Sequence, residues 1–535
     1  MKNLTFLLIF IINGLNIFSQ TLQIDWQACL GGSNSDYAMD ILELDNGFLI
    51  LGNTYSNDGD ISLNHGVNDL WLVRIDSIGN ILWEKCYGGS ESDGSHRIIK
   101  TEENNFYILG GALSSNGDIS NDPYPESTDF WIVKIDSLGS ILWDRIFGGN
   151  ILDYMWTGTP TTDGGVVALG WTGSQDGDVT VNYGAYDMWM VKVNSEGEKE
   201  WDFSIGTNDF DYGQAIIQTS DGGFLVGGTS TLTGGGNLDC ENHGEADGVL
   251  VKLDSLRNIE WQHCYGGSDY DGIYDILELD DGYLLSAFTA SNDGDVSGYH
   301  GEADIWIVKI DFNGNIIWEN CFGGYKGEVT YNLFKTIDED FTFIGRTKSN
   351  DGDVSGNHSL SEYDNDIWIV KLSSEGELLS QQCIGGRGDE RIDFGVVKTN
   401  DNNFVIAGQT NIGPSYDVEC TPHTSVYYQP DIWVFEILDT TGVGQYEILQ
   451  KQTEFLVYPN PAKDYVCFEY VLPENKEDVI LSIKNMQGIE TAHFKLHDKK
   501  GIKVWDTRGV KQGVYFYSFK SGLRILKRGK VIIIK

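Results

Sequence analysis

Short apolar stretches, separated by turns rich in glycine and aspartate, recur along residues 22–438. The phrase D-x-W-x-V-K or a close variant occurs seven times, about 60 residues apart. Its central position is held by Trp71, Trp131, Trp189, Val249, Trp306, Trp368 and Trp433. A second anchor precedes a glycine pair or a close relative of it, at Trp26, Trp83, Trp143, Trp201, Trp261, Trp318 and Ser380. The chain is therefore built from one repeated unit.

Each unit predicts four short strands, a to d. In the fourth unit, strand a spans 215–219, and an Asp221-Gly222 turn leads into strand b at 224–229. Strand c is the D-x-W-x-V-K phrase. A short S-x-G turn then leads into strand d, which carries the second tryptophan. Four short strands per long-period repeat are typical of a β-propeller blade.

The two ends of the array predict how it closes. A d-type strand at 22–30 precedes every a strand, and no tryptophan-bearing d strand follows the last c strand at 432–438. The N-terminal strand must then complete the seventh blade, which removes the free edges of the ring. We predict an all-β fold: a seven-bladed propeller over residues 20–438, closed by its N-terminal strand.

The charge of the chain separates two modules. The net charge is −44, but residues 455–535 carry 15 Lys/Arg and 8 Asp/Glu, so the remainder carries −51. Such an acidic surface repels nucleic acid and anionic membranes and excludes them as partners. At the N-terminus, Lys2 precedes an apolar run from Leu4 to Ile12, which predicts a signal peptide at 1–19. No later apolar run reaches the length of a transmembrane helix.

Residues 439–454 lack the repeat and are predicted to be a linker. The remainder contains FLVYPNPAKDYVCFEY, VILSIKNMQGIE and GVKQGVYFYSFKSGLRILKRGKVIIIK, which resemble the three blocks of the type IX secretion C-terminal sorting domain. The marks of the resemblance are Tyr458, Pro459, Asn460, Pro461, Gly513, Val514, Tyr515 and Lys535. The middle block has Asn485 where the family often has Asp.

The resemblance has implications for residues 455–535 and for the destination of the protein. It implies a small immunoglobulin-like β-sandwich, which is recognised by the type IX machinery and removed by a sortase-like peptidase. It also implies a Gram-negative bacterium that releases the protein or holds it at the cell surface.

Function is predicted on the propeller face that carries the long b–c loops and the d–a links. An acidic residue follows the repeated Gly-Gly position by four in every unit, as Asp36, Asp93, Asp153, Asp211, Asp271, Glu328 and Glu390. Because strand a is innermost, we expect these carboxylates to ring the channel mouth, where they either accept backbone N–H bonds or hold cations. A further acid two residues before each c-strand anchor, such as Asp69, is expected to be structural.

Five b–c loops carry D-G-D or N-G-D. Alternating oxygen ligands around a glycine suit calcium, although turn formation explains the motif as well. The predicted calcium ligands are Asp58, Asp60, Asp176, Asp178, Asp293, Asp295, Asp351 and Asp353. No other cofactor is predicted. Histidines occur in five of the b–c loops, one per blade, which is too dispersed for a shared zinc site.

Only two b–c loops contain cysteine, Cys240 and Cys420, and each of these blades also has a d-strand cysteine. We therefore predict the disulfides Cys240–Cys264 and Cys29–Cys420, which an oxidising export route allows.

The repeated loops favour a binding protein for an extracellular glycan, protein or cation. An enzyme would be expected to break the repeat with a unique acid, base or nucleophile, and no such cluster is evident. The alternatives are a quinoprotein-like oxidoreductase, a glycan hydrolase or a structural surface protein. The segment KIDSLGSILW is similar to the tryptophan repeat of quinoprotein dehydrogenases, a likeness that implies architecture alone.

Overall fold

The structure is a computed structural model. It describes residues 22–534 apart from 232–233, 337, 424–428, 439–454, 459–460, 472–478, 487, 497–499 and 522–523. The predicted signal peptide and linker lie outside the described residues. No described helix is long and apolar enough to cross a membrane.

Seven four-stranded antiparallel sheets form the blades of a propeller. The first three blades are β2 (Asp36–Leu44), β3 (Gly47–Thr54), β4 (Asp69–Ile75), β5 (Ile81–Tyr87); β6 (Asp93–Lys100), β7 (Phe106–Ala112), β8 (Asp129–Ile135), β9 (Ile141–Phe147); and β10 (Asp153–Pro160), β11 (Val166–Thr172), β12 (Asp187–Val193), β13 (Lys199–Ile205). The next three are β14 (Asp211–Gln218), β15 (Phe224–Ser230), β16 (Asp247–Leu253), β17 (Ile259–Tyr265); β18 (Asp271–Leu279), β19 (Gly282–Thr289), β20 (Asp304–Ile310), β21 (Ile316–Phe322); and β22 (Glu328–Lys335), β23 (Phe341–Thr347), β24 (Asp366–Leu372), β25 (Leu378–Ile384). Strands a begin at the repeated acid, four residues earlier than predicted in the fourth blade.

The seventh blade contains both ends of the repeat array. Its strands are β26 (Val396–Lys398), β27 (Phe404–Thr410), β28 (Asp431–Leu438) and the N-terminal β1 (Gln23–Leu30), in the order β1-β28-β27-β26. Strand β1 pairs antiparallel with β28, with Cys29 opposite Trp433. The predicted ring closure and the blade number are therefore confirmed.

The repeated tryptophans differ in their surroundings. Those of strand c, such as Trp306 and Trp433, have no exposed surface and pack between blades. The Trp306 indole N–H donates to Glu319 of its own d strand at 2.8 Å. Those of strand d are half-buried and reach the next blade, as when the Trp261 N–H donates to the Phe312 carbonyl at 3.1 Å. A c-strand ring thus fills six of the blades, with Val249 in the fourth, and a d-strand ring occurs in all but the sixth, which has Ser380.

Strands a carry a β-bulge at one shared register, seen as a shift in pairing with strand b in blades 1 to 6. A bulge adds a residue that no longer follows the alternation of the strand, so its side chain can be re-aimed. The bulge residues are Met39, His96, Trp156, Gln214 and Tyr274, and in blade 6 the two residues Tyr331 and Asn332.

The C-terminal module is a two-sheet β-sandwich. Its strands are β29 (Phe455–Tyr458), β30 (Tyr465–Val471), β31 (Val479–Asn485), β32 (Glu490–Leu496), β33 (Lys500–Asp506), β34 (Gly513–Ser521) and β35 (Arg524–Ile533). One sheet has the order β29-β30-β33 and the other β32-β31-β34-β35. Phe468 and Trp505 of the first sheet share a buried cluster with Leu481 and Phe519 of the second.

Candidate functional site

The seven repeated acids do not face an open channel mouth; six of them begin strands a, and Glu390 lies six residues before β26. Each is at most 2 % exposed. Its carboxylate accepts a backbone N–H from the d–a link four residues earlier, as from Gly32 to Asp36 at 2.7 Å and from Gly386 to Glu390 at 2.8 Å. Of the two roles expected for these carboxylates, acceptance of backbone N–H bonds at the strand entrance is the one seen in the structure, and their side chains are buried there. The group comprises Asp36, Asp93, Asp153, Asp211, Asp271, Glu328 and Glu390.

The aspartates of the D-G-D loops also accept backbone N–H groups of the d–a links. Asp58 accepts the Ser33 N–H at 2.7 Å and Asp60 accepts the Gly31 N–H at 3.1 Å, while Gly59 has a φ of 69°. The equivalent first acids Asp176, Asp293 and Asp351 accept backbone N–H groups at 2.7–3.0 Å, and Asp178, Asp295 and Asp353 do so at 3.3–3.4 Å. In the described part of the chain, no three His, Cys, Asp or Glu side chains are grouped as metal ligands. Calcium binding stays a hypothesis.

The loop histidines pair with the acids that begin strand c. His65 Nδ1 lies 2.7 Å from Asp69 Oδ2 and His300 Nδ1 lies 2.8 Å from Asp304 Oδ2. The other oxygen of every strand-c acid is buried without a hydrogen-bond partner among the described residues. Burial and the neighbouring carboxylate of Asp153 raise the pKa of Asp129 to about 8. His300 also reaches the next blade, since its Nε2 lies 3.7 Å from Asp353 Oδ2, and the buried strand-c acids leave no oxygen facing solvent for a ligand.

Both predicted cysteine pairs are bonded in the structure. Cys29 and Cys420 join strand β1 to the b–c loop of the seventh blade, and Cys240 and Cys264 make the same connection within the fourth, each with Cα atoms 5.6 Å apart. The described cysteines Cys86, Cys321, Cys383 and Cys467 are free.

An aromatic plug of bulge residues crosses the channel axis. The Trp156 ring lies 5.8 Å from His96 of the preceding blade and 6.2 Å from Tyr331, which belongs to the sixth blade. Phe394 of the seventh blade contacts both rings, with its ring centroid 5.9 Å from that of Trp156 and 5.2 Å from that of Tyr331. Burial lowers the pKa of His96 to about 4, so the imidazole is neutral. The plug brings together rings from blades 2, 3, 6 and 7.

On the long-loop side, blades 3 and 4 carry a continuous patch of rings that we call the aromatic wall: Tyr154, Trp171, Tyr186, Phe210 and Tyr212. Tyr154 stacks on Trp171 at 4.7 Å, and Trp171 meets Tyr212 edge-on at 5.1 Å. Phe210 lies parallel to Tyr212 at 6.3 Å and is 37 % exposed, while the other four rings are partly exposed. The wall joins two neighbouring blades at the channel entrance.

An ion pair lies at the same level across the channel. Arg346 Nη1 is 3.2 Å from Asp393 Oδ1, and each side chain is about a quarter exposed. Burial and the charge of Asp393 raise the pKa of Tyr154, which places this carboxylate near the wall. The entrance therefore combines apolar ring faces with a few polar groups, the usual composition of a binding site.

Sequence analysis missed the aromatic wall although a signal was present. The second residue of strand a is tyrosine in blades 1, 3 and 4, but glycine, valine or arginine elsewhere. The partner position on strand b is Trp171 in blade 3, whereas the other blades have Asn53, Gly111, Thr229, Phe288, Arg346 or Gln409. A comparison of repeats at these two positions singles out blade 3, which combines tyrosine with tryptophan, whereas blade 4 has the same tyrosine as blade 1.

Residues 456–535 match the family model described as "Secretion system C-terminal sorting domain". This match agrees with the resemblance seen in the sequence, and it identifies the chain as a protein exported by type IX secretion to the cell surface or beyond. Of the predicted signal residues, Tyr458 ends β29, Gly513 begins β34, and Tyr515 donates to the Lys511 carbonyl at 2.9 Å. Pro461 follows shortly after β29, and Pro459, Asn460 and Lys535 lie outside the described residues.

Solved structures resemble the chain at low identity. The Neurospora crassa Pan2 WD40 domain is 11 % identical, with 76 % of this chain and 95 % of that one covered and a TM-score of 0.40. PorZ, described as an essential bacterial surface component of the type IX secretion system of Porphyromonas gingivalis, is 11 % identical over 98 % of this chain and 88 % of its own, with a TM-score of 0.26. No curated protein matches the chain.

Proposed function

From a β-propeller exported with a type IX sorting domain, we propose an extracellular binding protein that recognises a neutral glycan at the long-loop end of its channel. The observation that carries the proposal is the aromatic wall, a patch of five neighbouring rings on two adjacent blades.

The wall has the chemistry that sugar rings require. Pyranose rings present faces of C–H groups, which pack against aromatic rings with dispersion and hydrophobic gain. Tyr154, Trp171 and Tyr212 provide three such rings in contact with one another, so they form a surface rather than isolated positions. Sugar hydroxyls need polar partners near the rings, and Arg346 and Asp393 supply donors and acceptors across the channel.

The charge of the chain favours a neutral glycan over an acidic one. Residues outside the sorting domain carry a net charge of −51. A field of this sign lowers the local concentration of uronic acid or sulfated polymers, and it leaves neutral polysaccharides unaffected. We therefore infer that the ligand is a neutral glycan segment long enough to cover more than one ring.

Binding, not turnover, is the activity that the entrance supports. The repeated acids of strands a and c are buried in structural contacts, and Asp393 is engaged by Arg346. A glycosidase needs two carboxyl groups placed on either side of a bound glycosidic bond. Release of new reducing ends from a bound oligosaccharide would reassign the protein to the hydrolase class.

The test is affinity for neutral oligosaccharides, measured by calorimetry on the purified chain after a glycan array has selected the best of cello-, xylo- and manno-oligosaccharides. Tyr212→Ala and Trp171→Ala should each weaken binding about 10- to 100-fold, as expected for a central aromatic contact. Tyr363→Ala is the matched control, since Tyr363 is a 72 % exposed loop tyrosine that is not part of the wall.

Three outcomes would count against the proposal. Equal affinity of the parent and of both wall variants would show that the glycan binds elsewhere. Selective binding of acidic glycans would contradict the charge argument. Binding of a protein by the wall, with no glycan retained on the array, would replace a glycan by a protein as the ligand.

A further inference from the structure

A chamber lies next to the aromatic plug, on the side of the short turns. Its volume is about 210 Å³. The walls come mainly from the later halves of strands a in blades 2 to 5, with Phe394 of the plug as a contributor from blade 7. The chamber reaches the turn face at Pro160, which is exposed. We call it the turn-side chamber.

The charged groups at this chamber are not balanced. Arg97 lines it, and its Nε lies 3.4 Å from Asp40, which is itself 4 % exposed and accepts the Ile98 N–H at 2.9 Å. Asp275 lines the chamber as a second carboxylate near the same arginine. It accepts the N–H groups of Ile276 at 2.9 Å and Leu333 at 3.0 Å, and it has no described ion-pair partner within 4 Å. One guanidinium therefore serves two carboxylates.

Among the described residues, neither of the other basic groups near the plug neutralises the charge of Asp275. His96, the titratable plug residue next to Arg97 in sequence, is neutral because burial lowers its pKa to about 4. Arg346 is paired with Asp393 on the far side of the plug. Burial raises the pKa of Asp275 to about 7, although the charge of Arg97 and two backbone N–H bonds lower it, and a bound cation would favour the ionised carboxylate.

The rest of the chamber wall suits an apolar body. Ile99, Ile216 and Ile217 provide aliphatic surface, and Tyr274 and Phe394 provide rings. Arg97 already lies over the Phe394 ring, with its guanidinium carbon 4.9 Å from the centroid. Aromatic faces attract organic cations and discriminate against anions. The hydroxyls of Thr157 and Thr159 add a few polar contacts.

We propose that the turn-side chamber binds a small organic cation, a primary or quaternary ammonium on an apolar body, with Asp275 as its counter-ion and Tyr274 as its aromatic contact. The ligand supplies the positive charge that the trio of Asp40, Arg97 and Asp275 lacks. The acidic field of the propeller concentrates such cations around the protein. The site is independent of the aromatic wall, and either proposal can fail without the other.

The unaltered full-length chain provides the first test. Calorimetric titrations with n-butylammonium, n-butanol and butyrate compare three charge states on one apolar body. Butylammonium should bind at least tenfold more tightly than the alcohol, and butyrate should not bind. Butyrate binding equal to or tighter than that of butylammonium would overturn the proposal, because Arg97 would then be the recognising group.

Two variants test where the organic cation binds. Asp275→Asn should weaken butylammonium binding about 10- to 100-fold, since a charge-assisted contact is lost. Asp269→Asn is the matched control, an exposed carboxylate in the d–a link of the same blade, and it should leave butylammonium affinity unchanged. Unchanged affinity in the Asp275 variant would refute the assignment. The ligand series on the parent protein decides the question if that variant does not fold.

Discussion

The disulfide Cys29–Cys420 should contribute more to stability than any other single covalent or non-covalent contact of the propeller. It joins residues 391 positions apart, whereas Cys240–Cys264 spans 24. In the loop-entropy model, closing these two loops restricts the unfolded chain by about 6 and about 3.5 kcal/mol respectively. Replacing both cysteines of the long-range pair by serine should therefore cost about 2.5 kcal/mol more than replacing both of the short-range pair.

The assay is guanidinium unfolding of the two double variants, followed by tryptophan fluorescence and far-ultraviolet circular dichroism. Cys86→Ser is the matched control, because Cys86 holds the same strand-d position as Cys29 and is free. It should shift the free energy of unfolding by no more than about 1 kcal/mol. Coincident transitions from the two probes are needed for the comparison. If the Cys29/Cys420 variant loses no more stability than the Cys240/Cys264 variant, the disulfide does not act by holding the ring closed.

Three further predictions concern buried and loop groups. The free energy of unfolding should fall as pH rises from about 5 to 8.5. Asp129, Asp187 and Glu390 have pKa values raised to about 8, 7 and 8 in the folded protein, which therefore retains their protons in this range. The unfolded chain releases the same protons near pH 4, so rising pH favours unfolding. Thermal unfolding across this range, with Asp129→Asn giving a shallower slope, checks the sign, and a rising midpoint would contradict it. If the D-G-D loops bind calcium, the ion should raise the unfolding midpoint of the parent and not that of the Asp293→Asn/Asp295→Asn variant; no effect on the parent ends the hypothesis. Trp306→Ala should destabilise by about 3–5 kcal/mol, and Trp318→Ala, at a half-buried strand-d position, by clearly less in denaturant titrations.

The propeller could be predicted because its signals are repeated. Each tryptophan and turn glycine occupies the same environment in every blade, so seven weak patterns support one another, and the missing d strand after β28 points to β1 as its replacement. The chemistry was harder to predict for the same reason. A repeated acid such as Asp36 looks like a functional ring in sequence, although the geometry directs its oxygens to the link N–H groups.

The plug and the turn-side chamber depend on features that a sequence pattern does not reveal. A bulge at Trp156 or Tyr274 changes which side chains face the axis, and the alternating pattern of a regular strand gives no warning of it. The charge imbalance around Asp275 arises because Arg97 and Asp40 come from blades 2 and 1, far away in sequence. Such contacts follow from closure of the ring and could only be read from the structure.

The pairing of β1 with β28 also sets an order of events during biogenesis. The seventh sheet cannot form until β1, which is synthesised first, pairs with β28, which is synthesised some 400 residues later. The edge of β1 therefore stays unpaired while the intervening blades fold. A partly exported or prematurely truncated chain would retain that edge and its apolar face. Completion of the last sheet thus acts as a checkpoint on chain integrity, and shortened molecules should be the ones that aggregate or are degraded.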